Sequence, residues 1–188
     1  MKTIKSMKTF MIVLIAGVIA ISCSSDDDNT PEVINEEEVI TTLRVQLTNA
    51  TAGNVTLESV DSDGDDGPNA PVITITGDIA ANTTYAGTVT FLNETETPAE
   101  DITEEVEEED DEHQVFYTPA PGLNITTEYG NFDDNGNPLG TVFTLTTGDA
   151  SNGNFTVTLR HEPTKPNTGL ADAGGETDIE VTFAVTVQ

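Results

Sequence analysis

His113 and His161 are the only imidazoles in this chain of 188 residues, and one of them stands against its densest negative charge. His113 directly follows eight acids spread from Glu104 to Glu112. His161 ends the alternating stretch Phe155, Val157, Leu159 and continues its inward face, with Glu162 and Pro163 closing the segment. Neutral imidazole is a preferred ligand for zinc and copper, and a carboxylate commonly completes the set. If the segments that carry them are neighbours, His113, His161 and an acid from Glu109, Asp111 or Glu112 form a three-ligand zinc or copper site. Otherwise each histidine is a polar residue at the rim of the fold.

A harder cation suits Asp61-Ser-Asp63-Gly-Asp65-Asp66-Gly67, where carboxylates at every second position can wrap oxygen ligands around calcium. The twelfth position, where an EF-hand places its bidentate acid, is Val72, so the choice is between a looser calcium turn at Asp61, Asp63 and Asp65 and a solvated turn. Asn131 to Pro138 repeats the pattern weakly, and its Asn135-Gly136 reads first as a hairpin turn. Covalent catalysis finds no support. There is no G-x-S-x-G elbow, and Cys23 is the only cysteine. Tryptophan is absent, so a sugar-cleaving carboxylate pair lacks its aromatic platform, and the chain is not expected to be an enzyme.

The elements that would position these residues are strands. From residue 39 onward, alternating apolar or β-branched segments end in Gly, Pro, Asn or Asp, at 39–47, 55–60, 72–76, 85–92, 113–118, 123–127, 141–146, 155–161 and 179–187. Nine such segments predict an all-β domain over 39–188, a single immunoglobulin-like two-sheet sandwich. In the last segment Ile179, Val181, Phe183, Val185 and Val187 share one face, with Asp178, Glu180 and Thr182 on the other. One short acidic helix interrupts the strands near 98–109. Thr97 with Glu100 matches a capping box, Pro98 suits a first turn, and Ile102 with Val106 form an i, i+4 stripe.

The N-terminal region supplies an address. Lys2, Lys5 and Lys8 precede an apolar run from Phe10 to Ile21, then Ser22 and Cys23. That run is too short to span a bilayer, so 1–22 reads as a lipoprotein signal peptide with Cys23 the lipidated residue. Residues 23–38 form a lipidated acidic tether. Beyond the signal only Arg44, Arg160 and Lys165 oppose 34 acids, which excludes nucleic acid as a partner. Membrane attachment then rests on the acyl chains.

Cys23-Ser24-Ser25-Asp26-Asp27-Asp28 resembles the surface-export signal of Bacteroidota outer-membrane lipoproteins, which implies a lipid-anchored protein displayed at the cell surface. The mature region, through LNETETPAEDITEEVEEEDDEHQVFY and LRHEPTKPN, resembles small acidic lipoproteins of the same phylum sometimes labelled type 1 periplasmic-binding-fold proteins. That resemblance implies a TonB-dependent outer-membrane receptor as neighbour, and it brings no activity or site residues. Its label implies two α/β lobes, for which this chain is too short and too poor in helix. Two functions are therefore expected in competition. One is a non-catalytic accessory or binding partner of an outer-membrane transporter; the other is capture of a divalent cation, zinc or copper at the histidines or calcium at the aspartate turn.

Overall fold

Alternation decides which residues go inside. In the computed structural model, which describes residues 38–64 and 67–188, Leu43, Val45 and Leu47 of β1 (Thr42–Asn49) face inward. So do Val55 and Leu57 of β2 (Gly53–Val60) and Tyr85, Val89 and Phe91 of β4 (Thr84–Asn93). These strands join β3 (Val72–Thr76), β7 (Ile125–Tyr129) and β8 (Val142–Thr147) in one antiparallel sheet, ordered β3-β2-β1-β4-β8-β7. A two-residue β5 (Glu100–Asp101) also pairs with β4. The second sheet, β10-β9-β6, is built from β6 (His113–Pro119), β9 (Ser151–His161) and β10 (Glu176–Val187).

The result is a mostly β, two-sheet antiparallel sandwich. Phe155, Val157 and Leu159 of β9 and Val181, Phe183 and Val185 of β10 meet the inward residues of the larger sheet in one core. Within the larger sheet Gly87 of β4 leaves room for the inward ring of Phe143, its partner on β8, since a β-carbon there would stand 2.5 Å from that ring. At one end the connection between β3 and β4 joins the smaller sheet through the parallel bridge of Ile79 and Val187.

The helix forms, but later than its capping box predicts. α1 spans Ile102–Glu108, and Asp101 is its N-cap, accepting from the Thr103 N–H at 3.0 Å. Backbone pairing of Glu100 and Asp101 with Asn93 and Leu92 keeps the chain extended through Asp101, so a cap at Thr97 is superseded by strand pairing. Ile102 and Val106 are buried as the i, i+4 stripe requires. The Phe91 N–H donates to Thr103 Oγ1, which ties the first turn to β4. A second helix, α2 (Leu170–Ala173), is a single turn.

Like-charge repulsion in the acidic run is met mainly by solvent, since Glu104, Glu105, Glu107, Glu108 and Glu109 lie at least partly outside. Two contacts add to this. Thr141 Oγ1 donates to Glu107 Oε1 at 2.6 Å, and the Lys165 ammonium donates to the Asp110 carbonyl at 2.5 Å.

Candidate metal centre

β6 and β9 pair in a register that sets Tyr117 opposite Val157, Val115 opposite Leu159 and His113 opposite His161. The histidines are thus the last rung of a ladder whose other rungs belong to the core. Directly opposed residues share a face, so both rings turn inward. Their centroids are 4.6 Å apart, with His113 fully buried and His161 3 % exposed.

Two carboxylates complete the cluster. Glu38, four residues before β1, places Oε1 2.9 Å from His113 Nε2 and Oε2 3.5 Å from His161 Nδ1. Asp178 of β10 places Oδ1 3.8 Å from the same His161 Nδ1. Both carboxylates are buried, and one ligand atom from each of the four residues lies within 4.8 Å of the others. Tetrahedral zinc with bonds of about 2.0–2.2 Å sets its ligand atoms a little over 3 Å apart, so small side-chain movements would close the set.

Asp178 arrives there through a local irregularity. The β9–β10 register slips between Thr177 and Ile179, leaving Asp178 as the extra residue of a bulge. A bulge re-aims a side chain that strict alternation would send outward. The strand is able to come this close because Gly175 precedes it. At φ +69°, a β-carbon on Gly175 would lie 2.2 Å from the His161 carbonyl oxygen.

Hydrogen bonds orient the His113 ring. His113 Nδ1 lies 3.2 Å from the Glu109 carbonyl, so Nδ1–H donates there and Nε2 is the atom presented to Glu38. A backbone carbonyl on the far nitrogen is a common way to fix a metal-binding tautomer. His161 shows the complementary arrangement, with Nδ1 in the cluster and Nε2 3.9 Å from Glu112 Oε2. Neither ring nitrogen of His161 has a hydrogen-bond partner, nor does Glu38 Oε2. Buried polar atoms are normally paired, so His161 Nδ1 and Glu38 Oε2, unsatisfied and 3.5 Å apart inside the cluster, ask for a cation or a proton.

Electrostatics favour positive charge at this point. Burial opposes charge on His113, yet the hydrogen bond and negative charge of Glu38, with the Glu109 carbonyl, hold its pKa above the usual 6.5. Burial likewise pushes Glu38 up, and the hydrogen bond from His113 and both imidazoles outweigh it, leaving the carboxyl below its usual 4.5. Both shifts favour an imidazolium facing a carboxylate when no metal is bound. Glu105 nearby is raised, by partial burial and then by the charges of Glu109 and Glu38.

The structure brings the two predicted histidines together but not the predicted acids. The carboxylates that join them are Glu38 and Asp178, not members of the acidic run. Glu109 contributes its carbonyl, and Glu112 lies on the outer nitrogen of His161, half exposed. Asp111 lines a surface hollow with Asp133, Asn135, Asn137 and Lys165. There the Asp133 carboxylate is already filled. It accepts from the Asn135 and Asn137 N–H groups and from Asn137 Nδ2, with Lys165 Nζ at 3.5 Å.

The calcium turn is not assembled by the residues described. Asp63 Oδ2 accepts from Asn69 N and Nδ2, and Asp61 Oδ1 accepts from the Asp63 N–H at 3.3 Å. Among the described residues the grouped ligands are Glu38, His113, His161 and Asp178 alone. Asp65, Cys23 expected to be lipidated, the expected export residues Ser24, Ser25, Asp26, Asp27 and Asp28, and the expected signal peptide lie outside the described residues. Glu38, the last residue of the predicted tether, belongs structurally with the sandwich.

No protein-family model, curated protein or solved structure matches this chain.

Proposed function

We propose that this domain captures a divalent transition-metal ion, zinc or copper, with Glu38, His113, His161 and Asp178 as ligands. One observation carries the reading: two buried imidazoles and two buried carboxylates converge within 4.8 Å, with Glu38 Oε2 and both His161 nitrogens lacking partners. Mixed nitrogen and oxygen donors suit zinc or copper, whereas calcium prefers six to eight oxygens. Four protein ligands leave no open coordination position, which supports a binding role over a hydrolytic one. The lipid anchor at Cys23 and surface display rest on the sequence and belong to the same proposal: a cation-binding module held at the outer membrane.

Isothermal titration of the purified protein with zinc, copper and calcium chlorides tests this. One zinc or copper per chain is expected, with His113→Ala and His161→Ala each weakening it at least about 100-fold, as loss of one ligand from a small site does. Equal affinity in both variants would remove the site.

A second reading is supported by β3. Val72, Ile73 and Ile75 stay exposed on this edge strand, which carries no charge, proline or bulge to discourage pairing. Such an edge suits strand addition by an accessory partner, for which an outer-membrane transporter of the TonB-dependent type is the candidate. Ile73→Lys should abolish receptor co-purification while leaving zinc binding intact. Undiminished co-purification would reject β3 as the surface.

A further inference from the structure

The four ligands come from unequal places in the fold. His113, His161 and Asp178 lie on β6, β9 and β10, which together are the whole of the smaller sheet. Glu38 lies on the chain that leads into β1, a central strand of the larger sheet. Ligation would therefore cross-link the entering chain to every strand of the opposite sheet.

How firmly that chain is held without metal changes sharply over four residues. Thr41 is fixed in the larger sheet: its N–H donates to the Leu92 carbonyl and its own carbonyl accepts from the Asp61 N–H. Its hydroxyl also donates to the Leu92 carbonyl and accepts from the Glu94 N–H. Val39 and Ile40 lie outside any strand, and Val39 is 54 % exposed. Ile40 packs only partly against the core. Glu38 reaches the body through its carboxylate, with Oε1 on His113 and Oε2 unpartnered beside His161.

We infer that the metal acts as a latch on the N-terminal entry of the sandwich: ion binding fixes Glu38 to the smaller sheet and closes the 38–41 segment over the buried histidines. This rests on the metal-site reading above and adds to it a regulated element, the point where the preceding chain joins the domain. With metal bound, that junction is a rigid part of the sandwich. Without metal, it opens locally around Thr41 as a hinge while both sheets stay folded, since the sheet bonds begin there. The same motion uncovers His161 Nδ1 and admits or releases the ion, so capture and junction order are one event.

Amide hydrogen exchange of the full-length protein in detergent, with zinc chloride as the probe, tests the latch. An opening that releases the ion is suppressed by the factor 1 + [L]/Kd, so zinc at 100 times its Kd should slow exchange of the Thr41 N–H, which donates to the Leu92 carbonyl at the hinge, about 100-fold. Exchange in β3 should not change. Glu38→Gln should weaken zinc binding and lose the protection, and Asp178→Asn, which leaves the junction's own sequence intact, should lose it in proportion to its affinity. Calorimetry on the same samples separates the two ideas. If one zinc binds but the Thr41 N–H exchanges as fast as before, or β3 slows equally, the latch is wrong and the metal site stands. If no zinc binds, both fail.

Discussion

Gly175 and His161 touch backbone to backbone: a β-carbon on Gly175 would sit 2.2 Å from the His161 carbonyl oxygen. This approach sets the start of β10 against the end of β9, and three residues later the bulge turns Asp178 toward the His161 ring. Gly175→Ala should be doubly unfavourable, because it adds a clash and places a β-carbon at φ +69°. We expect a loss of about 1–3 kcal/mol in denaturant unfolding, with a larger fall in zinc affinity than any equally destabilising change in β3. A variant that binds zinc like the parent would show that Asp178 is delivered by other contacts.

The sequence carries the histidine half of this site and not the carboxylate half, for definable reasons. His161 continues the inward period of Phe155, Val157 and Leu159, and His113 opens a segment of the same period, so both could be placed at strand ends facing inward. Their exact opposition depends on the register of two strands that are distant in sequence, His113 pairing with His161, which periodicity does not contain. Asp178 was lost to alternation itself. Counting back from Ile179 sends it outward, and only the bulge reverses it. The available signal was Gly174-Gly175, a pair that marks close backbone approach at the start of a strand. Glu38 offered no signal, being one of three consecutive glutamates ahead of the first strand. The acidic run stands out in the sequence by charge density alone, and its side chains mostly face water.

Asp178 and Glu112 make a discriminating pair, since both approach His161 but on opposite nitrogens. Asp178→Asn should weaken zinc binding by about 10- to 100-fold or more through loss of a charged ligand. Glu112→Gln should change it less than about 10-fold, because the carboxylate is half exposed and 3.9 Å from Nε2. Calorimetry with both variants decides which carboxylate is the ligand. The reverse order of effects would return the site to the acidic run.

Lys165 is expected to act on stability alone. Its side chain is 6 % exposed, its ammonium donates to the Asp110 carbonyl, and it stands 3.5 Å from Asp133 Oδ2. Burial outweighs the pull of Asp133 and lowers its pKa, so the cation is held in place by these contacts rather than by solvent. Lys165→Met should cost about 1–3 kcal/mol in urea unfolding while leaving zinc stoichiometry at one. Loss of zinc binding in a folded Lys165→Met protein would mean that the 110–113 turn positions His113 through this lysine.

Cys23 and the acids after it are expected to separate anchoring from display. If the proposed lipidation supplies the attachment, Cys23→Ala should move the protein out of the membrane fraction, since the acidic domain would supply none. Replacing Asp26, Asp27 and Asp28 with Asn should keep it membrane-bound and remove it from the surface, read as protection from external protease. Continued protease sensitivity would reject the export role of these aspartates.

The pH dependence of the metal-free protein and that of zinc binding should run in opposite directions. His113 is raised above 6.5 in the fold, so its stabilisation is fully present below pH 6.5 and is lost as pH rises through the higher folded value. Glu38 is lowered below 4.5, so its share is present above pH 4.5 and is lost as pH falls through the lower folded value. Metal-free stability from this pair is therefore greatest between about pH 4.5 and 6.5. Zinc needs the lone pair of His113 Nε2, which carries the proton shared with Glu38 throughout that window. Zinc should accordingly displace a proton from this pair below the raised folded value, and affinity should still be rising above pH 6.5, where a free imidazole has finished half its titration. Melting temperatures with and without zinc across pH 4 to 9 give both curves at once: the metal-free curve should fall, and the zinc increment grow, over the same interval above pH 6.5. Glu38→Gln should flatten the metal-free curve in that interval. If the zinc increment is already constant from pH 5 upward, no proton leaves His113, and the ion is not held by its Nε2.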